Sequence, residues 1–417
     1  MRYIESLHPL EMELGLERIQ RVQQSLDTGR IKSAVVTVAG TNGKGSTVAY
    51  LESIYRAGGY KVGCYTSPHL VHFNERIRIN GECVDDETLC QAFASVEAAR
   101  RGVRLTYFEF TTLAALSILV DAGLDVILLE VGLGGRLDAV NIVDPDVAVV
   151  TAIDLDHQAW LGDTRELIGY EKAGIFRGGV PAVCSDANPP ASVIAYANQV
   201  GATLYCIGQH YRFERSGEKW SWQGMSAEYT NLALPGLVGA HQLDNAAGAL
   251  AAVQLLSGCL PVTSMTINLG LSQPYLPGRT EIVGDSPQLV LDVAHNPQAT
   301  TRLAQTLAAL DPDRRTPVRT VAVAGMLKDK DIVASLLPMT SIVDRWFVTG
   351  LEGPRAASGQ QIAEALRAID KDITVTVCTS VANAFAAALA EANIGTRIVI
   401  FGSFQTVGGI MPQLNRG

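Results

Sequence analysis

Apolar residues recur along the chain as short, nearly unbroken runs separated by longer stretches with a helical repeat. The runs are Val35-Val36-Thr37-Val38-Ala39, Tyr60 to Tyr65, Asp125-Val126-Ile127-Leu128-Leu129-Glu130 and Val147 to Ile153. Without polar alternation they predict strands buried on both faces, the mark of a parallel sheet. Between them, Leu7 to Leu26 (with Gly15 marking a break or a close approach), Val48 to Tyr55, Glu87 to Ala99 and Phe108 to Val120 carry helical spacing. Strands alternating with helices of this length predict a doubly wound, mainly parallel α/β domain.

The pattern changes after residue 200. Ala202 to Ala233, with Trp220 and Trp222 among alternating polar residues, predicts an antiparallel excursion, and His241 to Leu256 is an alanine-rich helix. Proline and glycine at Pro274, Pro277 and Gly278 then interrupt. A linker is expected at 278–285, dividing a domain at 1–277 from one at 286–417. In the latter, Leu289 to Val293, Val318 to Ala324, Trp346 to Thr349, Ile373 to Val377 and Arg397 to Phe401 predict a smaller Rossmann-like α/β unit.

The first strand breaks into Gly40-Thr41-Asn42-Gly43-Lys44-Gly45-Ser46-Thr47. Strand, glycine-rich turn and helix make a phosphate cradle. Without Cβ atoms at Gly40, Gly43 and Gly45, backbone N–H groups can surround a triphosphate at the positive end of the helix. Lys44 adds charge to the outer phosphates, and Ser46 or Thr47 offers a hydroxyl to Mg²⁺. The spacing departs from G-x-x-x-x-G-K-[ST], because Gly45 intervenes between Lys44 and Ser46.

Ligands of a parallel sheet gather outside the carboxyl ends of its strands. Lys44, Ser67, Glu130 and His157 each follow a different predicted strand at that end, which would bring them to one rim. Glu130 is placed to hold a nucleotide's Mg²⁺ directly or through water, and the glycines of Gly132-Leu133-Gly134-Gly135-Arg136-Leu137-Asp138 allow close backbone approach. His157, within Asp154-Leu155-Asp156-His157, fits a second cation. Lys172 has two readings, a functional one and that of a lysine favoured by the dipole at a helix C-terminus. Asp292-Val293-Ala294-His295-Asn296-Pro297 also has two: Asp292 and His295 can stabilise phosphate or ribose, or cap the helix that Pro297 begins.

The net charge of −9 removes any bulk basic face for nucleic acid. Seven cysteines without a C-x-x-C pair or zinc-like spacing are expected to be reduced, mostly core thiols. The N-terminus lacks a signal-peptide apolar core, and the most apolar region, Leu113 to Val131, is interrupted by Asp121 and Asp125. A cytoplasmic protein with no membrane or nucleic-acid partner is expected.

Gly40 to Ser46, Ser67-Pro68-His69-Leu70, Glu130 to Asp138, Leu155-Asp156-His157, Glu171-Lys172-Ala173-Gly174-Ile175, Pro277-Gly278-Arg279 and Asp292 to Pro297 together resemble the bacterial dihydrofolate synthase/folylpolyglutamate synthases of the Mur ligase superfamily. The resemblance runs from Leu14-Gly15-Leu16-Glu17-Arg18 to Gly402-Ser403-Phe404. It implies a P-loop-type ATP-binding domain followed by a Rossmann-like glutamate ligase domain, and a monomer acting on dihydropteroate, tetrahydrofolates and L-glutamate. ATP would phosphorylate a substrate carboxylate, and glutamate's amine would attack the acyl phosphate.

By the same resemblance, Thr41, Asn42, Gly43, Lys44 and Gly45 hold the phosphates, with Ser46 in the hydroxyl position. Ser46, Ser67, Glu130 and His157 ligate two Mg²⁺ ions, and a monovalent cation joins them. Asn245, Arg279 and Asp292 contact the nucleotide, and His295 lies near the transferred phosphoryl group. Glu13, Leu14, Gly15, Leu16, Thr106, Tyr107, Phe108, Glu109, Leu137, Asp138 and Ala139 form the pterin pocket. Lys172 carries a CO₂-derived carbamate, N6-carboxylysine. Domain closure, dependent on ligands, would keep the acyl phosphate from water. Three alternatives stand beside this: folylpolyglutamate synthesis alone, another Mur-type ligase acting on a cell-wall nucleotide, and a non-catalytic nucleotide switch. The second generally carries an additional domain ahead of the cradle, and the third would not need Asp292 and His295.

Overall fold

The structure, a computed structural model, describes residues 2–8, 13–26, 29–284, 286–310 and 319–414. By internal contacts the chain forms two compact units, one of residues 1–236 and 242–275, the other of 237–241 and 276–417.

The first unit is built on an eight-stranded sheet: β1 (Ala34–Ala39), β2 (Val62–Tyr65), β3 (Ile77–Ile79), β4 (Glu82–Cys83), β5 (Val126–Glu130), β6 (Val147–Val150), β7 (Pro181–Cys184) and β8 (Thr203–Cys206). Their order is β4-β3-β2-β5-β1-β6-β7-β8. From β2 across to β8 every neighbouring pair is parallel, and only the pairs β2–β3 and β3–β4 at one edge are antiparallel. The unbroken apolar runs are the central strands, since β2, β5 and β6 are buried at every residue and β1 at all but its first. Each fully buried Val, Leu or Ile there contributes roughly 1.5–3 kcal/mol relative to exposure.

Helix Lys44–Ala57 lies against helices Gln242–Leu255 and Ser264–Ser272. A Cβ on Gly270 would come 2.4 Å from the Ile54 Cα, so the third helix can approach only through that glycine. Helices Asp86–Arg100 and Tyr107–Asp121 pack on each other and share a core cluster with Tyr65, Ile127 and Leu129.

The excursion expected at 202–233 divides differently. Thr203–Cys206 pairs in parallel with β7 as the sheet's edge strand, and only β9 (Tyr211–Ser216), β10 (Lys219–Gly224) and β11 (Ala227–Ala233) form the antiparallel sheet. Period-two alternation identifies a strand but not its partner, which explains the difference. The strand at 181–184 and helices Ala191–Val200 and Ser264–Ser272 occupy stretches to which the sequence pattern assigned no element.

In the second unit, β12 (Glu281–Val283), β13 (Gln288–Leu291), β14 (Arg319–Ala324), β15 (Arg345–Thr349), β16 (Val375–Cys378) and β17 (Thr396–Phe401) follow the order β12-β13-β17-β14-β15-β16. All pairs are parallel except β12 with β13. Residues 281–283, inside the segment expected to be a linker, are therefore an edge strand of this sheet. Val318 of the predicted strand and residues 9–12 of the predicted first helix lie outside the described residues. Gly15, at φ +149°, precedes the helix Glu17–Gln23, so the chain breaks there as its glycine implied.

Among the described residues no helix is long and apolar enough to cross a membrane.

Candidate active site

The turn after β1 is fixed by hydroxyls and by two glycines. Thr41 Oγ1 donates to the Asp154 carbonyl at 2.9 Å and accepts from the Asp154 N–H at 3.0 Å, while Thr151 Oγ1 donates to the Asn42 carbonyl at 2.8 Å. A Cβ on Gly40 would fall 1.8 Å from Thr151 Oγ1, and one on Gly43, at φ +97°, 2.3 Å from Asn245 Oδ1. The loop is thus held against β6 on one side and Asn245 on the other, a closeness only glycine permits. Helix Lys44–Ala57 starts immediately after Gly43, with Gly45, Ser46 and Thr47 buried in its first turn. Lys44 curls back over the turn, its Nζ donating to the carbonyls of Gly40 at 3.0 Å and Thr41 at 3.3 Å. Gly40→Ala is expected to lower the melting temperature by several degrees and to abolish nucleotide binding, which calorimetry would measure.

Register carries the neighbouring residues to the same rim. Val38 stands opposite Glu130, and Leu129 opposite Tyr65, two residues before Ser67. The buried Glu130 carboxylate accepts from the Ser67 N–H at 3.2 Å. His157, after β6, sits in the left-handed region at φ +52° with its Nε2 3.9 Å from Asp156 Oδ1. Among the described residues no three His, Cys, Asp or Glu side chains cluster as a metal site. The oxygens of Ser46, Ser67 and Glu130 suit a hard cation that takes its remaining ligands from phosphate and water.

Lys172 does not extend into solvent. It is 4% exposed, and its Nζ donates to the Gly40 carbonyl at 2.9 Å. Burial, and then the Lys44 cation, push its ammonium down to about 7, against the opposing pull of Asp156 and Asp138. Helix Arg165–Ala173 that carries it is capped by Thr164, whose hydroxyl accepts from the Leu167 N–H, and Glu166 accepts from the N–H groups of Ala191 and Ser192 at the start of the next helix. The glycine loop lies on the end of this helix. The Arg136 N–H donates to the Glu171 carbonyl at 2.8 Å, and a Cβ on Gly135 would meet the Glu171 and Lys172 carbonyl oxygens at 2.9 Å.

Several residues expected to face a pterin have structural tasks. Asp138 is buried and accepts from the N–H groups of Leu133 and Val140 at 2.8 and 2.9 Å, with burial raising its carboxyl to about 6. Leu137 and Ala139 flank it. Thr106 and Glu109 cap helix Tyr107–Asp121 reciprocally. Glu109, also buried, accepts from Arg18 at 3.1 Å, and Arg18 bonds Glu13 as well. That arginine, not singled out as a site residue, is what ties the Glu13-Leu14-Gly15-Leu16 turn to the helix start. A pairing across so many residues leaves no local sequence signal. Tyr107 and Phe108 stay half-buried, with Phe108 stacked on Tyr65 at 6.0 Å.

In the second unit Asp292, Arg279 and His295 come together where β13 ends. Burial raises the Asp292 carboxyl, opposed by the Arg279 cation and by hydrogen bonds. Those bonds come from the Thr280 N–H and hydroxyl, both at 2.8 Å, and the Ala294 N–H at 2.7 Å. His295 Nδ1 donates to the Val293 carbonyl at 2.8 Å. Arg279 and His295 both adjoin the ring of Phe404, at 5.1 and 6.3 Å. The helix Pro297–Ala309 is capped by Asn296, not by Asp292 or His295, which removes the capping alternative for those two side chains.

The Mur ligase middle domain matches residues 38–253, and the Mur ligase glutamate ligase domain residues 278–404. The chain is 44% identical to the dihydrofolate synthase/folylpolyglutamate synthase of Escherichia coli (strain K12), over 100% of this chain and 94% of that protein. The solved structure of E. coli FolC in complex with DHPP and ADP superposes with a TM-score of 0.93 at 44% identity, covering 99% of this chain and 96% of that one. A bifunctional folylpolyglutamate synthase/dihydrofolate synthase with Mn, AMPPNP and L-glutamate bound gives 0.91 at 43% identity, covering 99% and 96%. Matched at this level along its whole length, the chain belongs to the Mur ligase family and, within it, to the dihydrofolate synthase/folylpolyglutamate synthases.

Proposed function

We propose that the chain is an ATP-dependent ligase that joins L-glutamate to dihydropteroate, forming dihydrofolate, and to the γ-carboxyl of reduced folates, forming folylpolyglutamates. In each case the acid's carboxylate takes the γ-phosphoryl group of ATP and ADP leaves; the glutamate amine then attacks the acyl phosphate, expelling phosphate and a proton to form the amide. The observation that carries this reading is the glycine cradle that excludes Cβ atoms, with two lysines turned onto its Gly40 carbonyl.

Thr41, Asn42, Gly43, Lys44, Gly45 and Ser46 hold the triphosphate, with Asn245 fixing the loop at Gly43. Arg279 and Asp292 bind the nucleotide, and His295 serves the phosphoryl group. Oxygens of Ser46, Ser67 and Glu130 hold a divalent cation, whose chemistry is to offset the charge of a carboxylate meeting a triphosphate. His157 and a carbamylated Lys172 hold a second. Tyr107 and Phe108 supply aromatic surface for the pterin acid, and the Glu13–Arg18–Glu109 cluster shapes its wall.

The test is ADP release with L-glutamate and each acid in turn. Glutamate-dependent ADP is expected with both dihydropteroate and tetrahydrofolate. Release with tetrahydrofolate alone would reduce the assignment to folylpolyglutamate synthesis, and release with neither would end it.

A further inference from the structure

Two arginines lie close together after β2 and are treated differently by the fold. Arg78 is paired with the buried Glu52, Nη2 to Oε2 at 2.7 Å. Arg76 is 8% exposed yet forms no ion pair among the described residues. Its Nε donates to His69 Nδ1 at 2.9 Å, and its Cζ lies over the rings of Phe73 at 5.4 Å and Tyr107 at 5.7 Å.

Neither aromatic ring nor an imidazole accepting at Nδ1 supplies a negative charge. The nearest acid in sequence, Glu75, is spent on the N–H groups of Leu70, Val71 and His72. Among the described residues Nη1 and Nη2 have no partner, and neither is sealed from solvent. A guanidinium withdrawn this far from water without a counter-charge is costly, and its two-pronged face matches a carboxylate.

We propose that Arg76 is the subsite for a spectator carboxylate, the α-carboxylate of the glutamate already present on a folate substrate. This rests on the function proposed above. Dihydropteroate ends in one carboxylate, which reacts, and pairing that group with a guanidinium would blunt it as a nucleophile. A folate's terminal glutamate brings a second carboxylate that does not react and has to be satisfied when it leaves water. Arg76 stands beside Tyr107, the first residue of the helix whose start forms the acid pocket, and it follows the loop that carries Ser67. The subsite would let one pocket serve both acids while rewarding the longer one.

The test compares binding of tetrahydrofolate and tetrahydropteroate, which differ only by the glutamate, to the full chain by titration calorimetry. In Arg76→Gln the preference for tetrahydrofolate is expected to fall by about tenfold or more. Should that variant not fold, Arg76→Lys, which keeps the charge but loses the paired donors, makes the same comparison. Arg76→Met, which removes an unpaired buried charge at similar volume, is expected to melt at or above the wild-type temperature. Equal losses for the two acids, a raised KM for L-glutamate as the main effect, or a lower melting temperature for Arg76→Met would each overturn the inference. A wild-type chain that releases no glutamate-dependent ADP would overturn the functional reading first, and this one with it.

Discussion

Replacing Lys44 by alanine is expected to abolish turnover, lowering kcat by about a thousandfold or more, while the chain stays folded. The side chain is half-buried, and its bonds run to two carbonyls of its own turn. The turn itself is held by the Thr41 and Thr151 hydroxyls, which the substitution leaves in place. Loss of stability should therefore stay within about 1–2 kcal/mol, the scale of a hydrogen bond or two. What disappears is a charge placed over the loop that receives the phosphates, where negative charge is greatest as the γ-phosphoryl group moves. There is a second consequence. The Lys44 cation is, after burial, the main cause of the lowered Lys172 pKa. Its removal should let Lys172 hold its proton more firmly, so both lysines of the site would change state. Glutamate-dependent ADP release measured beside thermal unfolding checks the prediction. Near-wild-type turnover would sink the cradle assignment.

The parts of this molecule legible in the sequence are those specified locally. Buried parallel strands announce themselves as Val35 to Ala39 or Val126 to Leu129 because both faces must be apolar. Gly40 and Gly43 announce the cradle because no other residue fits against Thr151 and Asn245. Less legible is whatever depends on a distant partner. Thr203–Cys206 looks like any alternating strand until β7 takes it as a neighbour, and Glu281–Val283 looks like a linker until β13 pairs with it. Arg18 and Glu109 find each other across 91 positions, and no window of sequence contains both. Some local bonding is hidden as well. Asp138 sits in a glycine-rich loop that invites a ligand-binding reading, yet its carboxylate is occupied by the N–H groups of Leu133 and Val140. A carboxylate near a site can serve the loop before it serves the ligand.

Lys172 is where chemistry read from sequence stood undecided between a helix-end lysine and a functional one, and its surroundings weigh against the first. A helix-end lysine gains from the dipole while its ammonium stays in water. This one is 4% exposed and ends on the Gly40 carbonyl inside the phosphate turn. As an ammonium it would add positive charge beside Lys44 and repel any second metal ion near His157. As a carbamate it becomes an anion with two oxygens, able to accept hydrogen bonds or help hold that ion. The conversion takes a neutral amine and CO₂ to a carbamate and a proton, so it needs the amine unprotonated. Lowered from 10.5 to about 7, the group is protonated below that pH and neutral above it. At fixed CO₂, carbamate content is therefore expected to rise as pH climbs from about 6 to 8, readable as a ¹³C carbamate signal in protein equilibrated with labelled bicarbonate. Lys172→Ala should lose that signal and most activity, by about a hundredfold or more. A short carboxylic acid such as acetate or formate should restore part of it by supplying the missing oxygens in the vacated space. An absent signal in the wild type, or a Lys172→Ala variant as active as its parent, would return this lysine to a structural part in holding the turn.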